Sequence, residues 1–197
     1  MTAARTLVMV GASHSAQWFD IVDQFGKENG YKVLTRFNDD DIVQIAIKTD
    51  ADAIFMNSTR TSPDNVNQRE RLFLDRPGIW DELIRDGIDL VAIRDNPRFG
   101  FFQNACVWEN QEDASACAIG EKRIFLESNP ADAYSRKFEN FHSIDLTEKF
   151  CADSLCPAVH DNVLIYYDKH HISKTYSDYI AQDLISILEE KLPRSTG

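Results

Sequence analysis

No apolar run in this chain approaches the roughly 18 residues that a membrane-spanning helix needs. The first residues, Met1 to Val10, lack the charged-then-apolar layout and the small-residue cleavage site of a signal peptide. Repeats, low-complexity tracts and long linkers are missing too, so the 197 residues read as one domain with a single substantial core. Basic residues are scarce, 21 against 32 acidic ones, which leaves a net charge of −11. A surface this acidic repels phosphate backbones, so nucleic acid is not an expected partner and an anionic lipid surface is disfavoured. With 43% apolar and 27% charged residues, the composition is that of a soluble globular protein.

Cysteine is also sparse, at Cys106, Cys117, Cys151 and Cys156. An even number in two local pairs reads as two disulfides, which would place the domain outside the cytosol. Three connectivities are open, and Cys106–Cys117 with Cys151–Cys156 is the short-loop choice, each loop contributing about 2–3 kcal/mol. Four unlinked buried thiols are the alternative. Zinc is disfavoured, because neither pair has the two-residue spacing of a structural zinc knuckle.

The patterning alternates strands with helices. Residues 6–10 form an apolar strand stopped by Gly11-Ala12-Ser13. Trp18, Phe19, Ile21, Val22 and Phe25 recur at helical spacing until Gly30. Strands are expected at 31–37, 53–56 and 88–93, and helices at 39–48 and 77–85. The second half is looser, with strand candidates at 141–146 and 163–167 and a long amphipathic helix over 173–192. Strands apolar on both sides, separated by helices, argue for a parallel sheet covered on both faces. The expected architecture is a three-layer α/β/α, doubly wound fold of about five strands. Ligands bind such sheets at the carboxyl ends of strands, where Gly11–Ser15 lies.

Small residues ahead of Ser13 let the chain turn sharply and leave its hydroxyl exposed at a helix start, where backbone amides can stabilise an oxyanion. The bland reading is a capping serine. Asp168 and His171 change that balance. Three apart on the last strand-to-helix connection, they can face the same way, so that Asp168 orients the His171 ring and leaves its other nitrogen to deprotonate Ser13. His170, two residues from Asp168, is read as a solvated or supporting histidine. His14 is read as structural, projecting away from the Ser13 hydroxyl. Arg94, Asp95 and Arg98 should border the cleft, either binding acceptor hydroxyls or pairing with each other. Trp18 and Trp80 are read as packing residues, and Trp108, in the polar cysteine loop, as the candidate for stacking on a sugar.

Gly11-Ala12-Ser13-His14-Ser15-Ala16-Gln17-Trp18, Ile93-Arg94-Asp95-Asn96-Pro97-Arg98, Asp145-Leu146-Thr147 through Cys151 to Cys156-Pro157, and Asn162 through Asp168 to His171 together resemble the SGNH hydrolase superfamily. Within it they resemble the SGNH domains fused to bacterial membrane acyltransferases that modify surface glycans. The resemblance spans most of the chain. It implies a flavodoxin-like fold with Ser13, Asp168 and His171 as a catalytic triad and no metal or cofactor. It also implies acyl transfer, expected to be of acetyl, through an acyl-serine to a cell-envelope glycan or glycolipid. The donor would be delivered by a fused transmembrane acyltransferase domain, and the chain would be an extracytoplasmic piece of a longer membrane protein. A free-standing O-acetylesterase and a non-catalytic glycan-binding module are the rival readings.

Two departures stand out. The usual Gly-Asp-Ser is Gly-Ala-Ser, and the family's oxyanion-hole glycine and asparagine lack clear counterparts in Phe37-Asn38-Asp39 and Met56-Asn57-Ser58-Thr59-Arg60. Asn57 is the stand-in considered for the asparagine, beside the backbone amide of Ser13.

Overall fold

Strands that are apolar on both sides must be covered twice. The computed structural model describes residues 5–38, 41–62, 69–73 and 76–192, so the first two residues expected in the 39–48 helix lie outside the described residues. Five parallel strands form one sheet: β1 (Arg5–Gly11), β2 (Tyr31–Phe37), β3 (Ala53–Asn57), β4 (Asp89–Ile93) and β5 (Phe141–Ile144). Their order, β2-β1-β3-β4-β5, is that of a flavodoxin-like sheet with its switch point between β1 and β3.

Alternation along the strands sends Leu7, Met9, Phe55, Val91 and Ile93 to one face, and Val8, Val10, Ile54, Met56 and Leu90 to the other. Besides two single turns at Asp132–Ser135 and Thr147–Phe150, the described α-helices are α1 (Ser13–Ala16), α2 (Phe19–Asn29), α3 (Ile42–Thr49), α4 (Arg76–Arg85), α5 (Gln103–Glu109), α6 (Lys174–Tyr179) and α7 (Ala181–Lys191). Ile21, Val22 and Phe25 of α2 pack on the first face with Tyr176 of α6 and Leu184 and Leu188 of α7. Ile42, Ile45 and Ala46 of α3 cover the second face with Trp80 and Leu83 of α4. This is the three-layer arrangement.

Local chemistry sets the helix ends. Gly30, at φ 76°, stops α2 with its N–H on the Gly26 carbonyl. Asp41 caps α3 by accepting from the Gln44 N–H at 3.0 Å, and Ser173 caps α6 by accepting from the Tyr176 N–H at 3.1 Å.

Two expectations are corrected. The 163–167 strand reduces to Val163–Leu164, paired antiparallel with Val159–His160 outside the main sheet. Ile165 and Tyr166 are buried in the core and pair only locally, the Ile165 N–H donating to the Ala158 carbonyl at 2.9 Å and Tyr166 forming an isolated antiparallel bridge with Ile172, so their apolar run does not add a strand to the main sheet. The long C-terminal helix is interrupted at Ile180, whose backbone (φ −98°, ψ 8°) departs from helical values while its side chain stays in the core stripe. The four cysteines form Cys106–Cys117 and Cys151–Cys156, both in the loop-rich second half. No described helix is long and apolar enough to cross a membrane.

Candidate active site

The site is built at the carboxyl end of β1. Gly11 has φ +109°, and a Cβ there would lie 2.6 Å from Ser15 Oγ, so only glycine permits the turn from β1 into α1. That turn leaves Ser13 exposed as the first residue of α1, while His14 and Ser15 point inward and are buried.

The loop after Tyr166 brings the other groups. Asp168 Oδ1 accepts the backbone N–H groups of His170 and His171 at 2.8 and 2.7 Å, and Oδ2 lies 2.7 Å from His171 Nδ1. His171 Nε2 lies 2.8 Å from Ser13 Oγ. Burial alone would raise the Asp168 pKa, but the His170 N–H and the ring and N–H of His171 outweigh it and hold the carboxyl at about 2. It is therefore an anion under ordinary conditions, and it fixes the His171 tautomer with Nδ1 protonated and Nε2 free to accept from Ser13.

The loop is clamped from two sides. Asn96 Nδ2 donates to the His170 carbonyl at 2.7 Å, and the Phe99 N–H donates to that of Lys169 at 2.8 Å. Gln17 Nε2 donates to Asn96 Oδ1 at 2.7 Å, and Gln17 Oε1 accepts the Ile172 N–H at 3.2 Å. The exits of β1 and β4 thus fix where the Asp168–His171 segment sits.

A second chain of polar groups runs alongside. The fully buried Asp95 carboxylate lies 2.6 Å from His14 Nδ1 and accepts from Arg98 Nε at 2.8 Å, the Thr61 N–H at 3.0 Å and Asn57 Nδ2 at 3.3 Å. Burial would raise its pKa, but His14 and Arg98 outweigh that and lower it. His14 Nε2 then lies 2.9 Å from His170 Nδ1. His170 is lowered to about 4, first by burial and then by the charges of His171, His14 and Arg98, so it is neutral near pH 7. Its ring lies against His171, with centroids 4.1 Å apart.

This second chain is what sequence reasoning missed. His14 does project away from the Ser13 hydroxyl, but it ends on Asp95 and His170 and is not inert packing. The signals were present: His14 adjoins Ser13, His170 adjoins His171, and Asp95 sits at a strand exit. Among the described residues, His14, His170 and His171 are the group that could hold a metal ion, each offering a ring nitrogen within 4.8 Å of the others. The hydrogen bonds to each other, to the two aspartates and to Ser13 account for that convergence.

Of the three residues expected to border the cleft, Arg98 lines it and pairs with Asp95 at 2.8 Å, whereas Asp95 is fully buried and, like Arg94, lines neither cleft. Successive residues at a strand end point to opposite sides, so Asp95 turns toward the site and Arg94 turns away from it. Arg94 is buried against Glu70, with contacts of 2.6 and 2.8 Å, and against Asp145 at 2.8 Å, and it lines neither cleft at Ser13. Asn57 lines the site, with Oδ1 accepting from Ser15 Oγ at 3.2 Å. Trp18 and Trp80 are core residues, and Trp108 is exposed on α5, away from both clefts.

Ser13 stands between two clefts. One, of about 400 Å³, is lined by Gly11, Asn38, Asn57, Arg60, Phe73, Arg76 and Arg98. The other, of about 700 Å³, is lined by Gln17, Phe19, Asp20, Tyr167, His171 and Lys174. An exposed hydroxyl bonded to an oriented imidazole and open on both sides is suited to nucleophilic acyl chemistry.

Comparison with curated protein sequences returned no match. Among solved structures, the chain is similar to the periplasmic domain of a lipopolysaccharide acetyltransferase from Salmonella ser. Paratyphi A, with 12% identity, a TM-score of 0.55, and coverage of 94% of this chain and 85% of that one. That likeness concerns the fold. A sugar ABC transporter from Yersinia enterocolitica subsp. enterocolitica 8081 also matches, at 15% identity over 74% of this chain and 49% of that one, but its TM-score of 0.35 is too low to bear on the fold. A family model described as "SGNH domain (fused to AT3 domains)" matches residues 37–186, well over half of the chain, so the protein belongs to the SGNH domain family of the AT3-fused kind.

Proposed function

We propose that this domain transfers an acyl group, acetyl in the simplest case, to a hydroxyl of a cell-envelope glycan or glycolipid through an acyl ester on Ser13. The observation that carries the reading is the 2.8 Å approach of His171 Nε2 to an exposed Ser13 hydroxyl, with Asp168 2.7 Å behind the ring. The family's fusion to AT3 domains supports a transmembrane partner domain as acyl donor. Two disulfides support an extracytoplasmic location, with residues 1–197 as one domain of a longer membrane protein.

In the first half-reaction His171 Nε2 takes the Ser13 proton as Oγ attacks the donor carbonyl, and then gives it to the leaving group. In the second, the acceptor hydroxyl attacks the acyl-serine with His171 again as base. The Ser13 amide and Asn57, which lines the same cleft, are the candidate oxyanion donors. Among the described residues Asn57 Nδ2 is held by a long 3.3 Å contact to Asp95, a weak commitment. Neutral His170 beside His171 means that the imidazolium formed in each step meets no second positive charge there. Water reaches exposed Ser13, so slow hydrolysis accompanies transfer.

The test compares histidine variants on p-nitrophenyl acetate. His171→Ala should lower turnover by at least about 10³-fold, and His170→Ala by far less. The opposite ranking would remove His171 from the role of base.

A further inference from the structure

The larger cleft has a wall that proton transfer at Ser13 leaves unused. Phe19 and Tyr167 line it and are 37% and 54% exposed. The Tyr167 ring lies nearly parallel to that of His171, with 11° between the planes and centroids 5.6 Å apart, so its position is tied to the base. Around these aromatics stand Gln17, Asp20 and Lys174, the last two an exposed pair 3.4 Å apart. Aromatic faces beside hydrogen-bonding side chains suit a pyranose ring, whose C–H face is apolar and whose edge carries hydroxyls. Ser13 and His171 line the same cleft, so a ring seated there would have a hydroxyl beside the reacting atoms.

We propose that Phe19 and Tyr167 form the platform on which the acceptor sugar stacks; the proposal rests on the reading of Ser13 as acyl carrier. In the transfer step the sugar oxygen forms the new ester bond to the acyl carbon as the bond from that carbon to Ser13 Oγ breaks. The hydroxyl proton passes through His171 Nε2 to Ser13 Oγ. This platform replaces Trp108, which is 76% exposed but lines neither cleft.

The test uses the whole chain, p-nitrophenyl acetate as donor and the methyl glycosides of glucose, mannose, galactose and N-acetylglucosamine as probe acceptors. The readout is the ratio of acetylated sugar to free acetate, which compares two fates of one acyl-enzyme within each variant. Wild type should acetylate at least one probe. Tyr167→Ala and Phe19→Ala should each lower the ratio about tenfold, Tyr167→Trp should restore most of it, and Trp108→Ala should leave it at the wild-type value. Ratios that survive in both alanine variants would overturn the platform, as would a fall confined to Trp108→Ala. Acetylation of Ser13 with no sugar ever accepting the group would overturn it too, while leaving the triad standing. A changed preference between acetate and hexanoate esters at an unchanged ratio would make the cleft an acyl-chain site and refute the proposal. Failure of the underlying reading shows up separately, as ester turnover that survives Ser13→Ala.

Discussion

Two aspartate–histidine pairs of nearly equal length stand side by side, Asp168–His171 at 2.7 Å and Asp95–His14 at 2.6 Å. Their surroundings separate them. The first pair ends on the exposed hydroxyl of Ser13, at the meeting of two clefts. The second has its carboxylate buried and His14 and Arg98 at the edge of the smaller cleft, carries Arg98 on the same carboxylate and ends on another ring, His170. An imidazole oriented by a carboxylate acts as a base only when its far nitrogen faces a group that a ligand can reach. Where that nitrogen faces a neutral ring instead, the same pair fastens two parts of the chain together, here the exit of β1 and the loop that carries His171.

Removing the two carboxylates in turn is the sharpest way to break this comparison. Asp168→Asn should lower ester turnover by about 10⁴-fold through loss of the productive tautomer, with little change in melting temperature. Asp95→Asn removes the buried carboxylate on which His14, half-buried Arg98 and the Thr61 N–H converge and should cost about 3–5 kcal/mol, which lowers the melting temperature by roughly 10 °C or more. Activity assays and thermal melts on both variants decide the matter. A stable but inactive Asp95→Asn would place both pairs in the chemistry.

A smaller effect concerns acid. His170 titrates at about 4 in the folded protein against 6.5 for an ordinary histidine, so unfolding lets it bind a proton between those values. Its contribution to stability is fully present above pH 6.5 and is lost as the pH falls toward 4. Asp168, at about 2, does not titrate in that window. The melting temperature of wild type should therefore fall a few degrees further than that of His170→Gln on going from pH 7 to pH 4. Parallel curves would contradict the assignment of His170 to the second chain.

Much of the fold was legible in the sequence because a doubly covered strand has to be apolar on both sides, as residues 6–10 and 88–93 are. Residues 163–167 misled for the same reason. Ile165 and Tyr166 satisfy the pattern through burial in the core with local pairing alone, and periodicity does not tell a place in the main sheet from such packing. The break at Ile180 left no trace in composition, since neither glycine nor proline marks it.

At the site, Asp168 and His171 were readable as neighbours because they lie three residues apart, and Ser13 because a strand exit exposes it. The His14 contacts to Asp95 and His170 span 81 and 156 residues, and no local spacing rule foretells them. The turning away of Arg94 was within reach, because adjacent residues just past the end of an extended strand tend to point to opposite sides.

Whether Ser13 carries the acyl group can be read chemically. The chain is mixed with p-nitrophenyl acetate, quenched in acid within the first turnovers, digested, and mapped by mass spectrometry. If Ser13 is the carrier, a single acetyl group appears on it, absent from Ser13→Ala and strongly reduced in His171→Ala. Acetyl found on another side chain with Ser13 unmodified, together with undiminished turnover by Ser13→Ala, would contradict it.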